Sequence, residues 1–206
     1  MDDLPKKILI TMGIVIIAIP ALFGIYKLTT QSQKPPTPIN LEVTEKDWIT
    51  GNKQAPNELV EYSDLQCPAC RMAHPLVKEV IKNKRIKFVY RHFPLSMHKN
   101  SVNAAMAAEA AGVQNKFWEM QDLLFINQEK WAESKNPESI FIGYAKQLKL
   151  DTEKFQLDLK NKDLKSKIDA QMQSGNIAGV NATPTFYLNG VKIDIQALQN
   201  IETLLK

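Results

Sequence analysis

Leu59-Val60-Glu61-Tyr62-Ser63-Asp64-Leu65-Gln66-Cys67-Pro68-Ala69-Cys70 carries the only two cysteines of this 206-residue chain. An apolar, strand-like run leads straight into a CxxC at the start of a helix-like segment. Residues three apart share one face of a helix, and their Cα atoms fall within the ~4.4–6.8 Å that a disulfide spans. The first turn of a helix also has free N–H groups and a dipole that favours negative charge. A thiol placed there ionises easily, and the thiolate is the nucleophile. Pro68 suits that first turn, where its missing N–H costs nothing. The expected arrangement is an exposed, acidic attacking thiol at Cys67 and a more buried resolving thiol at Cys70, cycling between dithiol and disulfide.

Other readings of the pair are weaker. A structural zinc site takes four ligands, and no second CxxC follows. His74, His92 and His98 make no second ligand pair, although His74, one turn beyond Cys70, leaves a Cys67/Cys70/His74 site open. A purely structural disulfide would close so short a loop that it would constrain the unfolded chain little.

Composition is that of a folded globular chain, 44% hydrophobic and 23% charged, with a formal net charge of +4. The lysines are scattered among acids and form no basic stripe interleaved with aromatics, which argues against nucleic-acid binding. The N-terminus is different. Residues 8–26 (ILITMGIVIIAIPALFGIY) hold no charge and approach the ~20 residues that cross a bilayer. Lys6 and Lys7 before them favour a cytoplasmic N-terminus at residues 1–7, a preference that Lys27 weakens. The run is longer than the core of a signal peptide, and Ala18-Ile19-Pro20-Ala21 makes a poor cleavage site. The expectation is an uncleaved single-pass anchor in the cell membrane, with a cleaved signal peptide or a buried core helix as alternatives. The rest of the chain would then be extracytoplasmic, on the oxidising side where disulfides persist. Residues 27–46, with Pro35, Pro36 and Pro38, read as a semi-extended spacer with too little apolar content to pack.

The folded domain is expected over residues 47–206. Residues 58–63 and 86–90 read as strands flanking a helix over 67–82, with Pro75 inside it as a kink. Such a βαβ unit requires parallel strands and a right-handed crossover. Residues 101–178 read as helical, led by the alanine-rich run 104–111, with Trp118, Trp131 and Phe141 as core aromatics. Thr185-Phe186-Tyr187-Leu188, Asn189-Gly190 and Val191-Lys192-Ile193 form a hairpin signature with a tight turn, and a helix over 195–205 closes the chain.

This order resembles the thioredoxin superfamily and, within it, the membrane-tethered DsbA-like thiol–disulfide oxidoreductases of bacteria. The resemblance rests on the CxxC stretch, on Tyr90-Arg91-His92-Phe93-Pro94-Leu95, Ala107-Ala108-Glu109-Ala110 and Lys116-Phe117-Trp118, and on Gly179-Val180-Asn181-Ala182-Thr183-Pro184-Thr185-Phe186. It implies an α/β thioredoxin fold with a helical insertion at about 98–178 between its βαβ and ββα halves. Pro184 matches the family's cis-proline, which packs beside the CxxC. The backbone of Thr183 would then pair with the substrate polypeptide by strand addition. Glu61, six residues before Cys67, matches a buried acid beneath the dithiol. Burial would raise its pKa and let it shuttle the Cys70 proton. Asp64 reads as a turn or cap residue, and His92 and His98 as structural polar residues.

The implied activity is disulfide introduction into exported proteins that carry free thiols, with a membrane redox partner restoring the disulfide, and with no cofactor or metal. The alternatives are a reductase or isomerase of exported proteins, or a non-catalytic tethered peptide-binding module. One departure from the strongly oxidising DsbA proteins stands out: the central dipeptide is Pro68-Ala69, and Ala69 lacks the imidazole that can stabilise a thiolate at Cys67.

Overall fold

The structure, a computed structural model, describes residues 19, 20, 22 and 37–205. Among these no helix is long and apolar enough to cross a membrane. The anchor expected over residues 8–26 falls almost entirely outside them.

A five-stranded mixed sheet in the order β1-β3-β2-β4-β5 forms the centre of the domain. Its strands are β1 (Trp48–Gly51), β2 (Asn57–Ser63), β3 (Ile86–His92), β4 (Thr185–Leu188) and β5 (Val191–Ile193). The expected βαβ unit is present: β2 and β3 run parallel, joined by α1 (Pro68–Ile81). β4 lies antiparallel on the other side of β2, so β2 is the middle strand. β1, which the sequence reading did not anticipate, pairs antiparallel with β3 and puts Trp48 opposite Tyr90.

Side-chain alternation along β2 sorts its residues between two cores. Leu59 packs with Cys70, Ala73 and Val77 of α1 in the larger cluster. Val60 and Tyr62 face the opposite side, with Val89, Phe93 and Tyr187. Glu61 shares the Leu59 face, so it points beneath α1.

The helical region between β3 and β4 resolves into α2 (Ser101–Val113), α3 (Phe117–Ile126), α4 (Gln128–Trp131), α5 (Pro137–Gln147), α6 (Thr152–Asp158) and α7 (Lys162–Ile177). Trp131 and Phe141 are fully buried, and Trp118 packs partly buried against the same core. The hairpin is as expected, with positive φ at both Asn189 (51°) and Gly190 (78°). The closing helix is shorter than its sequence implied. It splits into α8 (Ile195–Gln199) and a 3-10 turn, Ile201–Leu204.

The spacer also ends earlier than expected. Residues 37–44 have no regular structure, but Leu41 and Val43 pack against the Val60/Tyr62 core. The Ile39 amide donates to the Gly190 carbonyl at 2.9 Å. Every second residue here is apolar, which is enough to seat one side of an extended segment against a sheet. Gly190 permits the approach, since a Cβ there would collide with the Ile39 carbonyl.

Candidate active site

Cys67 is the N-cap of α1, with an extended backbone (φ −71°, ψ 123°) and Pro68 following it in the first turn. It is 7% exposed, while Cys70, one turn on, is fully buried; both are free thiols. The chain from β4 reaches the pair from the other side. The Thr183–Pro184 peptide is cis, and the Thr183 carbonyl accepts a hydrogen bond from the Cys67 thiol at 3.3 Å. Residues 116 positions apart in sequence thus meet at one sulfur. Pro184 and Cys67 come together as the sequence reading expected.

The two thiols are electrostatically opposed. Cys67 is lowered from 9.0 to about 5, chiefly by a hydrogen bond from the Cys70 thiol. The Thr183 side chain and the backbone N–H groups of Cys70 and Ala69 add to this against the cost of burial. Ala69 therefore does help to hold the thiolate, through its amide rather than a side chain, as expected at a helix N-terminus. Cys70 moves the other way. Burial pushes its thiol well above 9, and the Cys67 sulfur and the nearby Glu61 push in the same direction.

Glu61 lies 4% exposed in the middle strand, between Tyr90 and Phe186 on the neighbouring strands. Burial raises its carboxyl from 4.5 to about 7, offset in part by the Ser63 hydroxyl. It is thus a buried acid that titrates near neutrality and is coupled to Cys70.

Several site residues gave little sign of themselves in the sequence. Asp64 is an Asx-type turn residue, as expected, since its carboxylate accepts from the Gln66 amide at 2.8 Å. It also accepts from the Leu95 amide and sits 2.7 Å from His98 Nδ1, while its own amide donates to Cys70 Sγ at 3.4 Å. His98, set aside in the sequence reading, thus holds the loop after β3 to the dithiol loop. On the other flank, the buried Gln128 side chain of α4 donates to the Leu65 and Cys67 carbonyls at 2.7 and 3.1 Å. Gln66 donates to the Ala132 carbonyl and accepts from the Asn100 amide, both at 2.7 Å. Amide side chains carry no periodic signal, so only the folded chain shows what they join. Among the described residues no cluster of His, Cys, Asp and Glu is arranged to hold a metal.

A thioredoxin family model matches residues 43–206. Among curated proteins, the Na(+)/H(+) antiporter NhaA 1 of Salinispora arenicola is 37% identical over 148 residues, covering 71% of this chain and 22% of the antiporter. NhaA 1 of Mycobacterium sp. (strain KMS) is 35% identical over 168 residues, covering 76% and 26%. The chain thus spans roughly a quarter of the length of these curated relatives. Among solved structures, a thioredoxin-like oxidoreductase from Silicibacter pomeroyi aligns with TM-score 0.68 and 26% identity, over 78% of this chain and 92% of its own. BdbD from Bacillus subtilis aligns with TM-score 0.70 and 22% identity over 83% and 96%, and alpha-DsbA1 from Wolbachia pipientis with 0.69 and 23% over 80% and 93%. The last two show the fold alone. With a family match that begins in the strap before β1 and runs to the C-terminus, and with the cis-proline loop set against the CxxC, the chain belongs to the thioredoxin family and shares the fold of DsbA-type thiol–disulfide oxidoreductases.

Proposed function

We propose that this protein is a thiol–disulfide oxidoreductase that introduces disulfides into exported polypeptides from an anchored position outside the cytoplasmic membrane. The observation that carries the redox reading is the opposition of the two thiols: Cys67 held near 5 at a helix N-terminus, and Cys70 buried and raised. A substrate thiolate attacks the Cys67 sulfur of the Cys67–Cys70 disulfide. The S–S bond breaks, a mixed disulfide forms at Cys67, and Cys70 leaves with the electron pair and takes up a proton, for which Glu61, the buried carboxyl whose charge acts on Cys70, is the candidate donor. The second substrate thiolate then attacks the substrate sulfur and expels Cys67 as a stable thiolate. Two electrons have passed to the enzyme, the substrate holds a disulfide, and one net proton has gone to solvent. The Thr183 backbone beside Cys67 offers an extended substrate main-chain hydrogen bonds that ignore its sequence.

The oxidising direction is supported by the low Cys67 pKa, since a stabilised thiolate stabilises the reduced enzyme. A membrane redox partner would reoxidise the pair. Anchoring rests on the uncharged residues 8–26. It gains indirect support from the relatives: a domain of this kind occurs within chains named as antiporters, which work across membranes. Antiport itself belongs to those whole proteins, of which this chain matches about a quarter.

The test is cysteine replacement in the anchored protein. Cys70→Ala should accumulate mixed disulfides with exported proteins through Cys67, and Cys67→Ala should abolish dithiol oxidation. Persistent oxidation by Cys67→Ala would overturn the mechanism. Acid trapping of thiols in growing cells should find the pair mostly oxidised; a mostly reduced pair would make the protein a reductase. Fractionation should leave the intact chain in the membrane pellet.

A further inference from the structure

Breaking the Cys67–Cys70 disulfide leaves a negative charge on a sulfur with no solvent to hold it. Cys70 is fully buried, and burial pushes its thiol well above 9. So poorly solvated a leaving group departs slowly unless fixed donors stand in for water around it. The residues that close β2 supply such donors.

The Asp64 amide donates to Cys70 Sγ at 3.4 Å, and the rest of Asp64 holds that aim. Its carbonyl accepts from the Cys67 amide at 3.0 Å. Its carboxylate, wholly buried, accepts from the Gln66 and Leu95 amides at 2.8 and 2.9 Å and lies 2.7 Å from His98 Nδ1. The residue before it is Ser63, on the same face of β2 as Glu61 and beneath α1. The Ser63 carbonyl is taken by the Phe93 amide at 2.8 Å. Its hydroxyl is fully buried and has no hydrogen-bond partner among the described residues. That hydroxyl nevertheless lies near enough to Cys70, Glu61 and Tyr90 to favour the ionised form of each. A hydroxyl has one proton and can turn it to whichever neighbour becomes charged.

We propose that the Asp64 amide and the Ser63 hydroxyl form a thiolate hole for Cys70, the sulfur counterpart of an oxyanion hole, and that Ser63 is a further catalytic residue of the exchange. The inference rests on the thiol-exchange reading above. A substrate thiolate attacks Cys67 Sγ, a new S–S bond forms there, the Cys67–Cys70 bond breaks, and its electron pair stays on Cys70. As charge grows on Cys70 the amide is already aimed at it, and the hydroxyl turns to donate. Little reorganisation is needed at the moment of bond breaking. The charge is held between the two donors until Cys70 is protonated. In the reverse step the Cys70 thiolate attacks Cys67 from the same position.

The two sulfurs are then served by separate donors. Cys67 has the Thr183 side chain and the Ala69 and Cys70 amides at the start of α1; Cys70 has the last residues of β2. Burial still outweighs the hole, since Cys70 stays well above 9. The hole therefore eases the departure of Cys70 without making it a resting thiolate, which would compete with Cys67 as the nucleophile.

The experiment uses the full-length protein and stopped-flow oxidation of a dithiol peptide. Ser63→Ala should slow the step that releases Cys70 about tenfold, the usual effect of one hydrogen bond to a charged group. Ser63→Thr keeps the hydroxyl and should regain most of the rate. With Cys67→Ala in the background, thiolate absorbance reports Cys70 alone, and Ser63→Ala should move its titration up by about one pH unit. His98→Ala loosens the Asp64 carboxylate without touching either sulfur and should slow the same step about threefold. His98→Asn restores a donor to Asp64 and should restore the rate. Wild-type rates in both Ser63→Ala and His98→Ala would overturn the hole alone. So would a slowed Ser63→Ala whose Cys70 titration stays put, because the loss would then lie in packing. Absence of exchange in wild type would overturn the underlying reading, and the hole with it.

Discussion

The Thr183 carbonyl lies 3.3 Å from the Cys67 sulfur and takes its hydrogen bond, while the Thr183 hydroxyl is buried with no partner of its own among the described residues. One residue thus presents an acceptor to the thiol and a spare donor to the thiolate. The acceptor is satisfied only in the protonated form. When Cys67 ionises, the hydroxyl can take over by donating to the sulfur, as its contribution to the lowered Cys67 pKa indicates.

Removing that donor should make Cys67 less acidic. Thiolate absorbance of the reduced protein should titrate near pH 5. In Thr183→Val the midpoint should rise by about one pH unit, the worth of one hydrogen bond to a charged group. An unchanged midpoint would mean that the Cys70 thiol and the helix amides act alone.

Stability should depend on pH differently in the two redox states: it falls through the Glu61 range in the oxidised protein and is nearly flat there in the reduced one, where the Cys67 contribution opposes it. Glu61 has a folded pKa of about 7 against 4.5 unfolded. The folded protein therefore keeps a proton that the unfolded chain releases. The stability it contributes is full below 4.5 and falls as pH rises toward 7, by up to about 3 kcal/mol. Cys67 in the reduced protein has a folded pKa of about 5 against 9. Its contribution is full above 9 and is lost as pH falls toward 5. Oxidised protein lacks the Cys67 term, so its denaturation midpoint should decline between pH 4.5 and 7, and Glu61→Gln should remove the decline.

The reduction potential should lie on the oxidising side despite Ala69. At pH 7 a thiol of pKa about 5 favours the reduced state by about two pH units, or up to ~60 mV over an unshifted dithiol. Ala69→His should add to this at about 30 mV per further unit by which it lowers Cys67. Equilibration with glutathione measures both proteins. A potential that does not follow the thiolate pKa would separate the two quantities in this fold.

Gln128 should prove more important than its place on a four-residue helix implies. Gln128→Ala leaves the Leu65 and Cys67 carbonyls without that donor and should cost about 2 kcal/mol. The exposed Lys130→Ala beside it should cost under about 0.5 kcal/mol. Amide exchange should quicken at residues 65–67 in the first variant and stay unchanged along α7.

Much of this was legible in the sequence because the informative residues act through local rules. A short apolar run marked β2, Asn189-Gly190 marked the hairpin, and the spacing of Cys67 and Cys70 around Pro68 marked a helix start. β1 was missed because Trp48-Ile49-Thr50-Gly51 is too short to show a period, and only pairing with Tyr90 and its neighbours makes it a strand. The site was legible where chemistry is carried by residue type, at Cys67, Cys70, Glu61 and Pro184. It was illegible where a common polar side chain gains its role from a distant partner, as for His98 on Asp64 or Gln128 on Cys67. The final residues of the spacer were misread for a related reason: Leu41 and Val43 are too few to suggest a core, yet they add to one already formed.

Ten of the thirteen residues of α2 are buried, six of them alanine. A helix covered on so many sides has no free face, and small side chains let its neighbours close around it. Ser101–Val113 therefore forms the centre of the helical segment, and Glu109, which accepts a hydrogen bond from Trp48 Nε1 at 2.7 Å, ties it to β1 as well. The inserted segment is not an appendage that could be trimmed to leave a minimal redox domain. Losing it would strip the sheet, and unfolding either half would expose the other, so the region from β1 to the C-terminus is expected to melt in a single cooperative transition.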